Sequence, residues 1–175
     1  KVHQSAKMDF LLDVLPELIS EGRRILIFSQ FTSMLALIEA QLAKAKIDFL
    51  KLTGSTRNRQ ELVDEFQSGA VPVFLISLKA GGVGLNLTAA DTVIHFDPWW
   101  NPAVENQATD RAHRIGQDKP VFVYKLIVEN SIEQVIQTIQ QNKAKLANAL
   151  LSEEANDSTL SLTEDIVKAM MAPLT

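Results

Sequence analysis

The chain has 175 residues, 46% of them hydrophobic and 22% charged, with no cysteine and a formal net charge of −4. That is the length of one domain with apolar mass enough for a proper core. It excludes disulfides, thiolate metal sites and cysteine nucleophiles, and no run of eighteen apolar residues offers a membrane span. No signal-peptide pattern opens the sequence, which, with the missing cysteines, predicts an intracellular protein. The charge is uneven. Glu153, Glu154, Asp157, Glu164 and Asp165 against Lys168 place the whole −4 in residues 152–175, and residues 1–151 balance at zero. A neutral body has no global field for nucleic acid, so any grip on DNA has to be local or come from a partner domain.

Ser5 reads as an N-cap, and Met8, Leu11, Leu12, Leu15, Leu18 and Ile19 follow at helical spacing. Pro16 predicts a kink or a second helix start, and Glu21-Gly22 closes the segment. Ile25-Leu26-Ile27-Phe28 has the continuous apolar run of a strand buried on both faces. Met34, Leu35, Ile38 and Leu42 make an amphipathic helix, residues 47–52 a second strand, and residues 58–68 a helix with Leu62, Val63 and Phe66 inward. Strands follow at 71–77, 92–96 and 121–128, with a helix over 103–113 and a long helix over 131–150 capped by Ser131. Residues 152–161 form a polar, acidic linker before a short helix at 163–171. Strands alternating with helices predict an α/β fold with a parallel sheet covered on both faces. The division is a body over 1–150 and an appendage over 151–175.

In such sheets ligands gather at the carboxyl ends of the strands, and the unusual residues lie there. They are Ser29-Gln30-Phe31, Thr53-Gly54-Ser55-Thr56, the glycine loop of residues 77–87, and Asp97-Pro98-Trp99-Trp100-Asn101-Pro102. Glycines let backbone N–H groups approach phosphate. The loop is not a dinucleotide fingerprint, because Gly82-x-Gly84 has Leu87 where Gly or Ala is needed and follows the third strand. Nor is it a P-loop, since no Gly-Lys pair occurs in the chain. Asp64-Glu65 sits mid-helix as solvated carboxylates rather than a metal-holding pair. His3, His95 and His113, without a cysteine among them, give little support to a metal site.

Arg111 and Arg114 stand three residues apart at the end of a predicted helix, before Gly116 turns the chain. Such spacing shares a helix face, so both guanidinium forks can converge on one anion, a phosphoryl group in transfer above all. Alone, the pair would be two surface arginines. Phosphate-directed arginines without a nucleotide cradle imply that another lobe brings the nucleotide and its metal.

Residues 107–117 (Q-x-x-x-R-x-x-R-x-G-Q), 77–87 (S-x-K-A-G-G-x-G-L-N-L) and 97–102 occur in that register, and nearly the whole chain resembles the C-terminal RecA-like lobe of Swi/Snf-type DNA-dependent ATPases. The long helix from Ser131 and the ending Leu162-Thr163-Glu164-Asp165 are similar to the family's bacterial members, which implies a bacterial cytoplasm. The resemblance implies ATP as the nucleotide, with Mg²⁺ held mainly by an N-terminal lobe outside this chain. Arg111 and Arg114 resemble the arginine pair that reaches that ATP, Arg114 being the finger proper. Gln107 is similar to the motif's leading glutamine, one turn before Arg111 on the same face, and Gly84 and Asn86 to the loop elements facing the nucleotide.

Ser77 and Lys79 resemble contacts to the DNA backbone, as do Ser29, Gln30, Gly54 and Ser55. Trp100 is similar to an aromatic near the DNA groove, while Trp99 reads as packing. The partners implied are the chain's own N-terminal lobe, double-stranded DNA and a DNA-bound protein complex, with no membrane. Two other readings stay open at this point: a dinucleotide-binding enzyme, and an interaction module without motor activity.

Overall fold

The computed structural model describes residues 6–81, 84–97, 99, 101–112, 118–128, 136–138, 140, 141 and 144. Its strands form where apolar side chains run without a break. β1 (Ile25–Ser29), β3 (Val73–Ser77) and β4 (Thr92–His95) are buried at every position. β2 (Phe49–Leu52) and β5 (Phe122–Lys125) are the outer strands of a five-stranded, all-parallel sheet ordered β2-β3-β1-β4-β5. Ile25 stands opposite both Val73 and Thr92, and Thr92 opposite Phe122, so the strands share one register across the sheet.

Alternate residues of each inner strand feed two separate cores, one on each face. Leu26, Phe28, Phe74, Ile76 and Val93 pack with Val63 and Phe66 of α3 (Arg59–Ser68), Leu78 of α4 (Leu78–Gly81) and Ala108 of α5 (Pro102–Thr109). Ile25, Ile27, Val73, Leu75 and Ile94 pack with Leu11 and Leu15 of α1 (Ala6–Ser20) and with Leu35, Ile38 and Leu42 of α2 (Thr32–Lys44). The predicted three-layer α/β arrangement is therefore present.

Three local features differ from the sequence expectation. α1 continues through Pro16, so no second helix starts there; its ring sits on the exposed side, where the lost backbone bond faces water. A four-residue helix, α4, opens the segment after β3, so Lys79 rides on a helical turn rather than a loop. α5 ends at Thr109, and the chain then turns through Asp110, Arg111 and Ala112. Arg114, Trp100, the arginine-segment residues 113–117, and most of the predicted helix over 131–150 lie outside the described residues, as does all of 151–175.

At the amino edge of the sheet Arg24 fastens β1 to its surroundings. Its Nη2 donates to the carbonyls of Phe66 and Val71, both at 2.6 Å, while its backbone N–H donates to Asp91 at 3.1 Å. The guanidinium also lies 4.7 Å from the Phe66 ring centroid. Burial lowers its pKa against the opposing pull of Asp91.

Candidate functional site

The strand order fixes where a crevice opens. The chain leaves β1 towards β2 on one side of the sheet and leaves β4 towards β5 on the other, so the connections diverge at the β1/β4 pair. At such a switch point the carboxyl ends of the strands leave room for a ligand. Asp97 stands there. Ser29 Oγ donates to Asp97 Oδ2 at 2.5 Å, and the Gln30 N–H donates to Asp97 Oδ1 at 2.9 Å. The hydroxyl of Ser29 is wholly buried in this arrangement, whereas Gln30 is half-buried and lines a hollow of about 170 Å³ with Leu78, Lys79, Trp99 and Val104.

Of the residues expected to meet DNA, Lys79, Gly54 and Ser55 are exposed. Gly54 and Ser55 occupy a turn closed by the Thr56 N–H to the Thr53 carbonyl at 3.2 Å. Within it, Thr53 Oγ1 and Ser55 Oγ are 3.0 Å apart, and Arg59 Nη2 donates to the Gly54 carbonyl at 3.2 Å. Ser77 is buried, and its Oγ accepts the Ala80 N–H at 3.3 Å, starting α4. Ser29 and Ser77 thus hold strand ends in shape, while Gln30, Lys79, Gly54 and Ser55 form the open rim.

The end of the glycine loop is tied down on two sides. Gln67 of α3 donates through Nε2 to Thr88 Oγ1 at 3.1 Å and accepts the Ala89 N–H at 2.8 Å. The Leu87 N–H donates to the Arg111 carbonyl at 3.0 Å. Gly84 has φ +45°, a backbone conformation that L side chains seldom adopt. Gly84 and Asn86 are exposed, and with Leu85 they border a cavity of about 510 Å³ whose other wall is Arg57, Arg59, Gln60 and Val63. Backbone hydrogen bonds continue past α5, from Asp110 N–H to Asn106, Arg111 N–H to Ala108 and Ala112 N–H to Thr109. Gln107 is exposed, but Arg111 is only 5% exposed, so the two differ in depth although one turn apart.

Beneath this segment lies a polar group that sequence reasoning did not single out. Glu105, 1% exposed, accepts the Trp99 N–H at 2.7 Å and pairs with Lys125 Nζ at 2.8 Å. His95 Nε2 and Thr109 Oγ1 are 3.0 Å apart, and the imidazole stacks on Phe28 at 5.6 Å. Burial pushes the His95 pKa down to about 4, against Glu105, which raises it, and with Lys125, which lowers it. An imidazolium would also need a second acceptor, and Nδ1 has none among the described residues. Asp97 opens the 97–102 motif but its bond to Ser29 had no sequence signal, nor had Glu105 or Gln67, because Ser29, Lys125 and Ala89 lie far off in the chain. No group of three His, Cys, Asp or Glu residues converges among the described residues.

A parallel sheet with covered faces, and a glycine loop bonded to an arginine segment at its carboxyl edge, defines a RecA-like lobe. Residues 6–116 match the family model described as the helicase conserved C-terminal domain. The chain is 42% identical over 164 residues to the putative ATP-dependent helicase/translocase YwqA of Bacillus subtilis, covering 92% of this chain and 18% of that protein. It is 45% identical over 156 residues to the SWI/SNF-related matrix-associated actin-dependent regulator of chromatin subfamily A containing DEAD/H box 1 homolog of Drosophila melanogaster, covering 87% and 18%. Among solved structures, the C-terminal part of the Fun30 ATPase domain superposes with a TM-score of 0.75 at 42% identity, covering 78% of this chain and 45% of that one. The chain belongs to the helicase C-terminal domain family, as a lobe of the Swi/Snf type. It spans less than a fifth of the length of these two relatives.

Proposed function

We propose that this lobe is the second half of an ATP-driven motor that moves along double-stranded DNA, in a bacterial cytoplasm, against a DNA-bound protein complex. The observation that carries the reading is the hydrogen bond from the Leu87 N–H to the Arg111 carbonyl. It joins the glycine loop to the arginine segment, so groups suited to a nucleotide and groups suited to developing phosphoryl charge move as one. The exposed Gly84, Asn86 and Gln107 suit the ribose and phosphate side of a nucleotide presented by an N-terminal lobe. That lobe would also hold Mg²⁺. Relatives named as ATP-dependent helicases support ATP as the nucleotide.

Arg111 is sunk into the lobe, so its guanidinium would be fixed in place before the cleft closes, and Arg114 would make the reach to the γ-phosphate. Fixed positive charge at that point stabilises the transition state without reorganisation. On the rim, Gln30, Lys79, Gly54 and Ser55 grip the DNA backbone, Ser29 and Ser77 serve by shaping the strand ends, and Trp100, outside the described residues, is the aromatic that the family resemblance puts near the DNA groove. Contacts to phosphate read no sequence, as a translocase requires. The body over 1–150 carries these parts, with residues 151–175 as an acidic appendage.

In the full-length protein, Arg114→Ala is expected to lower DNA-stimulated ATP hydrolysis by about 10³-fold or more while nucleotide binding stays near normal. Arg111→Ala is expected to lose hydrolysis to a similar degree. Steady-state turnover and binding of a fluorescent ATP analogue check both, and near-normal turnover in either variant removes its arginine from the mechanism.

A further inference from the structure

We propose that Glu105 is a positioning residue that couples the aromatic loop after β4 to the arginine segment, a step that rests on reading Arg111 as part of the ATP site. Glu105 sits in the first turn of α5, with one carboxylate oxygen 2.7 Å from the Trp99 N–H and the other 2.8 Å from Lys125 Nζ on β5. Three segments therefore meet at one buried side chain. The loop holds Trp99 and Trp100, α5 leads by unbroken backbone hydrogen bonds to Arg111, and β5 is the edge of the sheet.

Apolar packing cannot fix this helix by itself. The side chains it and its following turn bury in the core are Ala108 and Ala112, with Val104 partly buried beside them. A methyl group is a poor key for rotation about a helix axis, whereas a hydrogen-bonded carboxylate has a defined direction. The far end of α5 is held by a second polar contact, Thr109 Oγ1 to His95 Nε2. Pinned at both ends, α5 transmits a displacement of the aromatic loop to Arg111 rather than absorbing it. DNA held at Gln30 and Lys79, which line one hollow with Trp99, would then set the arginine position, and Glu105 is the joint through which it does so.

The test uses the full-length protein with ATP and saturating duplex DNA. Glu105→Leu puts an apolar side chain of similar size in place of the carboxylate and cannot accept the Trp99 N–H. It is expected to lower kcat about tenfold or more with KM for ATP within about twofold. Glu105→Gln retains a carbonyl acceptor for Trp99 and is expected to keep kcat within about threefold of the parent. Should Glu105→Leu fail to fold by circular dichroism, Glu105→Asp supplies the same split, with a loss of about fivefold or more in kcat that exceeds any change in Glu105→Gln, because its carboxylate falls one methylene short. A folded Leu or Asp variant with parental kcat overturns the proposal, as does a loss carried by KM alone or a Gln variant as impaired as Leu. Arg111→Ala run beside them separates the two levels of the argument: a normal Arg111→Ala sinks the ATP-site reading, and an inactive one beside a normal Glu105→Leu sinks only the coupling.

Discussion

His95 shows what a single buried residue contributes to the pH behaviour of the lobe. Its pKa falls from 6.5 in the unfolded chain to about 4 when folded, because burial disfavours the imidazolium. The unfolded chain therefore binds the extra proton first as pH drops. Stability is full above about 6.5, declines as pH falls towards 4, and levels off below that. Between pH 7 and pH 5 the loss from this group is on the order of 2 kcal/mol. Thermal melts should show that His95→Asn, which keeps a polar partner for Thr109, flattens the pH dependence over that interval. An unchanged slope would mean the imidazole titrates alike in the folded and unfolded chain, and would remove the shift. Nothing in the sequence announces this. A histidine in the run Thr92-Val93-Ile94-His95 reads as one more strand residue, and only the packing of α5 over it supplies Thr109 and Glu105.

At the scale of elements, helix ends carry the sharpest consequences. Gly69 follows α3 with φ +92°, and a Cβ there would meet Arg24 Nη1 at 3.1 Å. Arg24 cannot withdraw cheaply, since the same guanidinium is committed to the Phe66 and Val71 carbonyls. Gly69→Ala should cost about 1–2 kcal/mol from backbone strain, with the crowding of Arg24 in addition. Lys46 is the opposite case. It follows α2 at φ +55° without being glycine, so Lys46→Gly should gain up to about 1 kcal/mol. Melting temperatures of the two variants moving in opposite directions is the expected result. The elements themselves were largely legible in the sequence. Runs such as Ile25-Leu26-Ile27-Phe28 and the stripe of Leu35, Ile38 and Leu42 declare burial through periodicity alone. Periodicity says how deep a residue lies but not what it faces. Hence the pairings of Asp97 with Ser29, 68 positions away, and of Gln67 with Ala89, 22 away, stayed invisible, and the four residues of α4 were too few to show a period.

At the scale of the whole molecule, the proposed reading assigns Arg111 and Arg114 to a phosphate, while the sequence has no Gly-Lys pair of a P-loop to hold one. Purified alone, the chain should turn over no ATP in the presence of Mg²⁺ and DNA, and robust turnover would overturn the two-lobe reading. Its binding to duplex DNA should be weak and steeply salt-dependent, because a body of zero net charge relies on a few rim contacts. Nanomolar binding at physiological salt, read by fluorescence anisotropy, would contradict that. The link from Leu87 to Arg111 belongs to this scale as well. Donor and acceptor are both main chain, so truncating either side chain leaves the bond chemically intact. The two segments can exchange residues freely and still keep their spacing, provided the amide at position 87 keeps its hydrogen. A mechanical connection of this kind is written in the path of the chain and not in its letters, and a scan of alanine substitutions would pass over it.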